Sequence, residues 1–331
     1  LTATDSNLEE LRGLLKGRVL LFCHHNADPD SICAAYAFQE LSEALNASVK
    51  SDIVLPGGAS SISKRVMEEL SIMIVEEPCV DDADLLVMLD TATLRQLEEW
   101  GEVVSSADAP KVFIDHHSPH PETSSVAYLS LVDENASSTC EIVHQLYEGY
   151  GLAPSTKVAK ALLVGIAYDS KHFSIGTART LRSVFHLLEI NGPFEDVFSL
   201  LTPERDRSER IARLKAAQRL RLHEVGSWII ATSHLSSFQA SAARALLGLG
   251  ADVAVVAGRD KRKLRASLRA TDRFYKETSV HLGRDIAMTL GEDFSGAGSG
   301  HPTAAGVNGK GDPRAMLMRF VELMSFKVDG K

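Results

Sequence analysis

The chain has 331 residues, 44% of them hydrophobic, and a formal charge of −9. This composition excludes disorder as the main state, and at roughly 100–200 residues per domain the length suggests two domains. The net charge hides a split: residues 1–200 carry 13 basic and 30 acidic residues, whereas residues 201–331 carry 22 and 14. An acidic half joined to a basic half points to different partners for the two, so overall acidity does not exclude nucleic acid.

Four cysteines, Cys23, Cys33, Cys79 and Cys140, form no CxxC pair. A zinc knuckle or redox dithiol is therefore disfavoured, and reduced, buried thiols in a cytoplasmic protein are the expectation. No apolar run reaches the ~18 residues of a membrane span, and the first twenty residues do not read as a signal peptide. Leu1 in place of Met leaves room for a trimmed segment, a targeting one included.

In chain order, the apolar runs Val19–Cys23, Ile53–Leu55, Ile72–Val75, Leu85–Leu89 and Val112–Ile114 read as buried parallel strands. Helices lie between them. Ser31 is a candidate cap for Ile32–Leu45, Ser138 with Glu141 forms a capping box before Cys140–Tyr147, and Lys157–Ala167 and Ala178–Leu188 follow. This pattern predicts an α/β fold whose first domain, 1–200, is a parallel sheet with helices on both faces. Residues 201–226, basic through Arg205, Arg207, Arg210, Arg213, Lys215, Arg219 and Arg221, read as a helical linker. A smaller α/β domain, 227–331, is expected from strands Trp228–Thr232, Val253–Ala257 and Leu264–Leu268, helices Gln239–Leu247 and Val280–Leu290, a glycine-rich loop over 296–309 and a last helix near Ala315–Ser325.

Ligands of open parallel sheets bind beyond the carboxyl ends of the strands. There VLLFC runs into His24, His25, Asp28 and Asp30, LLVML into Asp90, and KVFI into Asp115, His116 and His117, while the helix ALLVGIAY ends at Asp169. Any one of these aspartates, taken alone, reads more readily as a cap or turn former than as a ligand. Together at one sheet edge they would repel one another, and metal cations are the simplest compensation. Imidazole mixed with carboxylate suits Mn, Fe, Co or Zn better than Ca or Mg.

His24-x3-Asp28-x-Asp30, Asp90 after a strand, Asp115-His116-His117 and Asp169 in GIAYDSKHF resemble, in that order, the four motifs of the DHH phosphoesterase superfamily. GAGSGHPTAAG, with Ser267-Leu268-Arg269 upstream, is similar to the associated C-terminal domain of the RecJ and nanoRNase-type branch. The resemblance covers nearly the whole chain and implies an active-site cleft between two domains. It also implies two Mn²⁺, with Mg²⁺ or Co²⁺ as substitutes: His24 and Asp28 on one, Asp30, His116 and Asp169 on the other, and Asp90 bridging. Asp115 would orient the cluster and His117 would face the substrate phosphate, so that Asp90, Asp115, His116 and His117 form the catalytic group.

The implied activity is hydrolysis of phosphodiester bonds in short oligonucleotides or single-stranded nucleic acid by two-metal activation of water. Gly296, Gly298 and Gly300 would aim amides at an anion, with Ser267, Arg269, Ser299 and His301 as substrate contacts. Between Arg259 and Arg284 nine basic residues face three acids, and alternation puts Lys263, Arg265, Ser267 and Arg269 on one side of a strand. His25 reads as a supporting or solvated residue, and His172 as a substrate contact or an ordinary loop histidine. His120, His144, His186, His223 and His234 read as surface or satisfied core residues.

Three alternatives stand beside this reading. Hydrolysis of cyclic or linear dinucleotides needs the same metals and phosphate grip. A pyrophosphatase or polyphosphatase is argued against by the missing Ser-Arg-Lys-type motif, and a non-catalytic replication scaffold by the presence of all six proposed ligand positions. A homodimer and a replication or repair partner are compatible with the sequence; a membrane partner is not expected.

Overall fold

A computed structural model describes residues 5–202, 206–260 and 263–329; Arg205, Lys261 and Arg262 lie outside them. The chain divides into two compact units between residues 203 and 204.

The first unit is built on a parallel five-stranded sheet: β1 (Arg18–Phe22), β2 (Lys50–Val54), β3 (Leu85–Leu89), β4 (Lys111–Asp115) and β5 (Leu129–Val132), in the order β2-β1-β3-β4-β5. Because side chains alternate across a strand, its apolar runs feed two cores. Val19, Leu21, Val87 and Ile114 pack with the helices Pro29–Leu45, Thr139–Gly149 and Thr156–Asp169. Leu20, Phe22, Met88 and Phe113 pack on the other face with Leu94, Leu97 and Val104.

Three expectations change here, and one strand is added. Ile72–Val75 is not a strand, and Met73 is 80% exposed. The missing strand is β5, whose Leu129 and Leu131 are buried while Ser130 points outward, the mark of an edge position. Helix Pro29–Leu45 is capped by Asp28 rather than Ser31: the Asp28 carboxylate accepts the amides of Asp30 (3.0 Å) and Ser31 (3.1 Å), and Pro29 needs no partner at the first helical position. Ser138 caps Thr139–Gly149 by accepting the Glu141 amide, but the Glu141 side chain turns to Ser137 and leaves the box half formed.

In the second unit the sheet is mixed: β6 (Arg221–Val225), β7 (Trp228–His234), β8 (Val253–Asp260), β9 (Lys263–Ala270), β10 (Ala297–Gly300) and β11 (Ala304–Gly309), ordered β10-β11-β9-β8-β7-β6. Only β7 and β8 pair in parallel. Ile230, Val253 and Val255 face one core, and Ala231, Ala254 and Val256 the other. The linker expectation is corrected, since helix Arg207–Gln218 packs Ala212 and Ala216 into this second core and β6 pairs antiparallel with β7. A strand with Arg, His and Glu on it survives because it is an edge.

The glycine-rich segment is a hairpin, not a loop, with Gly298 opposite Val307 and Gly300 opposite Ala305. Its glycines answer to close backbone packing. A Cβ on Gly298 would sit 1.7 Å from the Ala287 carbonyl oxygen, and one on Gly296 1.9 Å from that of Asn308.

Gly165 plays the same part in the first unit: a Cβ there would lie 2.3 Å from Cys140 Sγ and 2.9 Å from Asp30 Oδ1. Gly165→Ala should therefore destabilise the fold by about 1–3 kcal/mol through overpacking. Urea unfolding with an unchanged midpoint would contradict the packing described.

Candidate metal centre

The carboxyl ends of β1, β3 and β4 and the last residue of helix Thr156–Asp169 converge. The two expected ligand sets are each brought together, and Asp90 reaches into both. His24 Nε2 lies 3.8 Å from Asp28 Oδ1 and 3.6 Å from Asp90 Oδ2. His116 Nε2 lies 3.0 Å from Asp169 Oδ2 and 3.5 Å from Asp90 Oδ1. Donor atoms of His24, Asp28 and Asp90 fall within 4.8 Å of one another, as do those of Asp30, His116 and Asp169.

Local structure fixes how these groups point. His24 Nδ1 is 2.8 Å from the His25 carbonyl, which can only accept. Nδ1 therefore carries a hydrogen, and Nε2 is the atom offered to the carboxylates. Asp90 adopts φ 56°, the left-handed region that a non-glycine residue enters at a cost. Asp30 is fully buried and accepts the amides of Thr139 (2.6 Å) and Cys140 (3.0 Å) at the start of helix Thr139–Gly149. The same Thr139 donates its hydroxyl to Asp90 Oδ1 at 3.1 Å. Sequence reasoning missed Thr139; its only signal was its place beside the cap Ser138.

Charge accumulates here. Burial raises Asp30 well above the usual carboxylate range, helped by the charges of Asp90 and Asp169. Burial also raises Asp90, against the pull of His24. Burial alone would lower both imidazoles, yet the carboxylates win: Asp28 and Asp90 push His24 up to about 10, and Asp169, Asp30 and Asp90 push His116 up to about 9. His116 Nε2 is nevertheless buried without a hydrogen-bond partner, although Asp169 is close. An imidazole nitrogen among several carboxylate oxygens, whose proton a cation can replace, is a donor set that fits a divalent cation of the manganese-to-zinc class.

Of the remaining expected residues, Asp115 and His117 join Asp90 and His116, with donor atoms of the four within 4.8 Å of one another, whereas His25 and His172 turn elsewhere. Asp115 Oδ1 accepts from the His117 ring Nδ1 (2.8 Å) and from the His117 amide (3.0 Å), so it orients His117, whose ring is half exposed. His25 turns away to the Gln96 carbonyl, and His172 stacks on Phe198 with centroids 5.6 Å apart. In the second unit the expected phosphate-gripping residues lie in neighbouring registers. Ser267 pairs with Gly306, which pairs in turn with Ser299, and Arg269 pairs with Ala304. The Arg269 guanidinium donates to Ser267 Oγ (3.1 Å) and to the Leu268 carbonyl (2.8 Å), and His301 is exposed at the hairpin turn.

The profile of the DHH family N-terminal domain matches residues 18–166. An uncharacterized protein of Methanocaldococcus jannaschii, MJ0988, is 31% identical over 301 residues, covering 91% of this chain and 90% of its own. A probable manganese-dependent inorganic pyrophosphatase of Bacillus cereus is 28% identical over 191 residues, 55% of this chain and 58% of that protein. Among solved structures, an exopolyphosphatase-related protein of Bacteroides fragilis shares the fold: TM-score 0.63, 15% identity, covering 98% of this chain and 97% of that one.

Because His24 and His116 hold protons up to about 10 and about 9, a cation must displace them to bind. Mn²⁺ affinity should rise between pH 6 and 9 by about tenfold per pH unit for each cation. Calorimetry in buffers of different ionisation enthalpy counts the protons released; no release and a pH-independent Kd would contradict this charge balance.

Proposed function

The chain belongs to the DHH family, and from that premise we propose that it is a manganese-dependent phosphodiesterase that removes nucleotides from short oligonucleotides or single-stranded nucleic acid. The observation that carries this reading is the meeting of two donor sets, His24, Asp28 and Asp90 in one and Asp30, His116 and Asp169 in the other, with Asp90 Oδ1 3.5 Å from His116 Nε2 between them. His24 and Asp28 would hold one cation, Asp30, His116 and Asp169 the other, and Asp90, within reach of both His24 and His116, would serve the two. Bound there, divalent cations supply the positive charge that polarises a phosphoryl group and acidifies water.

The chain's own residues do the positioning. Thr139 and the amides of residues 139 and 140 hold Asp30 and Asp90 in place. Asp115 raises the His117 imidazole by direct hydrogen bonding and fixes its Nδ1–H. His117 Nε2 is then free to donate to a phosphate oxygen or to protonate a departing one. In the second unit, exposed Lys263 and partly exposed Arg269 on β9 support a polyanionic substrate larger than one phosphate. A pyrophosphatase is the second reading, favoured by the Bacillus relatives over about half of this chain.

A substrate panel separates the two. With Mn²⁺ present, 5′-labelled RNA and DNA of graded length, cyclic dinucleotides and pyrophosphate are incubated with the wild-type and Asp90→Asn chains. Nucleotide release from the short oligonucleotides is expected, falling about 10²–10³-fold in Asp90→Asn, the rate equivalent of several kcal/mol of charge stabilisation. Phosphate from pyrophosphate with no nucleotide from any chain length would replace the first reading by the second.

A further inference from the structure

Away from the Asp90 cluster, helices Thr139–Gly149 and Ala178–Asn191 bring a second donor set together. His144 and Glu148 are four residues apart and share one face of the first helix. His186 comes from the second helix. Glu148 Oε2 lies 3.7 Å from His144 Nδ1, Glu148 Oε1 lies 2.9 Å from His186 Nδ1, and donor atoms of the three residues fall within 4.8 Å of one another.

His144 is what makes the set more than an ion pair. Its side chain is 3% exposed and its Nδ1 is buried without a hydrogen-bond partner. Buried polar atoms are almost always paired. A protonated Nδ1 would be expected to close on Glu148; a bare one faces a carboxylate oxygen, leaving two lone-pair donors with nothing between them to accept. The helices that carry the set are already fixed in register. Arg179 donates to Glu141 at 2.7 Å, and each of these residues lies seven positions before its counterpart, His186 and Glu148.

We propose that His144, Glu148 and His186 form a binding site for a zinc-class divalent cation, separate from the centre around Asp90. Two imidazoles and a carboxylate make the three-ligand half of a tetrahedral site. Bond lengths of about 2.0–2.2 Å place tetrahedral donors roughly 3.3–3.6 Å apart; His144 and His186 lie 3.7 and 2.9 Å from different oxygens of Glu148, and one donor atom from each of the three falls within 4.8 Å of the others. The partly exposed His186 and Glu148 leave the fourth position to solvent. Such a donor set holds zinc more tightly than manganese. A cation there would staple the helix whose first turn presents the Thr139 and Cys140 amides to Asp30.

The test counts zinc per chain by mass spectrometry after stripping, reloading and gel filtration, in wild type, His186→Ala, Asp90→Asn and the double variant. His186→Ala should carry one zinc fewer than wild type, and the double variant one fewer than Asp90→Asn. Zinc should raise the Tm of Asp90→Asn by more than that of the double variant, and Mn²⁺-supported hydrolysis by His186→Ala should stay near wild type. Equal zinc in wild type and His186→Ala overturns the proposal. Should His186→Ala fail to fold, imidazole ¹⁵N spectra of the wild-type chain decide: zinc-induced shifts assigned to His144 and His186 support the site, and unmoved resonances refute it.

Discussion

Two carboxylates, Asp30 and Asp90, are buried at the carboxyl edge of a parallel sheet, and the arrangement of the first unit follows from how they are tolerated there. A buried, ionised carboxylate is costly unless it is hydrogen-bonded and its charge is met. Asp30 takes two amides from the start of helix Thr139–Gly149, where the helix dipole also favours a negative group. Asp90 takes the Thr139 hydroxyl and faces His24 and His116. What these neighbours leave uncompensated is the charge that a pair of divalent cations would meet.

That constraint reaches into the packing. Helix Thr156–Asp169 must come close enough to bring Asp169 within 3.0 Å of His116, and it does so at Gly165, against Cys140 and Asp30. Strain at Asp90 is retained because β3 and the surrounding donors hold it. In the second unit, close approach is again met by glycine, here where the hairpin of β10 and β11 meets the backbone of Ala287. Both units thus spend side-chain volume to bring backbone and functional groups together.

Much of this was legible in the sequence. Fully buried parallel strands read as continuous apolar runs, which is why β1, β3 and β4 stood out, and why the residues just after them could be nominated. Elements whose identity depends on neighbours were harder. Ile72–Val75 has the composition of a strand but no ladder, whereas β5 and β6 are edge strands diluted by Ser130, Arg221, His223 and Glu224. Asp28 and Ser31 are both good caps, and sequence alone did not separate them. The glycines of 296–300 looked like loop residues because the backbone they pack against lies on another element. Thr139's contact with Asp90, and the meeting of His144 with His186, join residues some 40–50 positions apart, which no local pattern encodes.

The central claim is that Asp90 serves two cations at once, and anomalous diffraction from crystals loaded with Mn²⁺ tests it most directly. The account predicts two peaks, one among His24, Asp28 and Asp90 and the other among Asp30, His116, Asp169 and Asp90, with an Asp90 oxygen within bonding distance of each. A single peak, or two peaks of which only one touches Asp90, would contradict it.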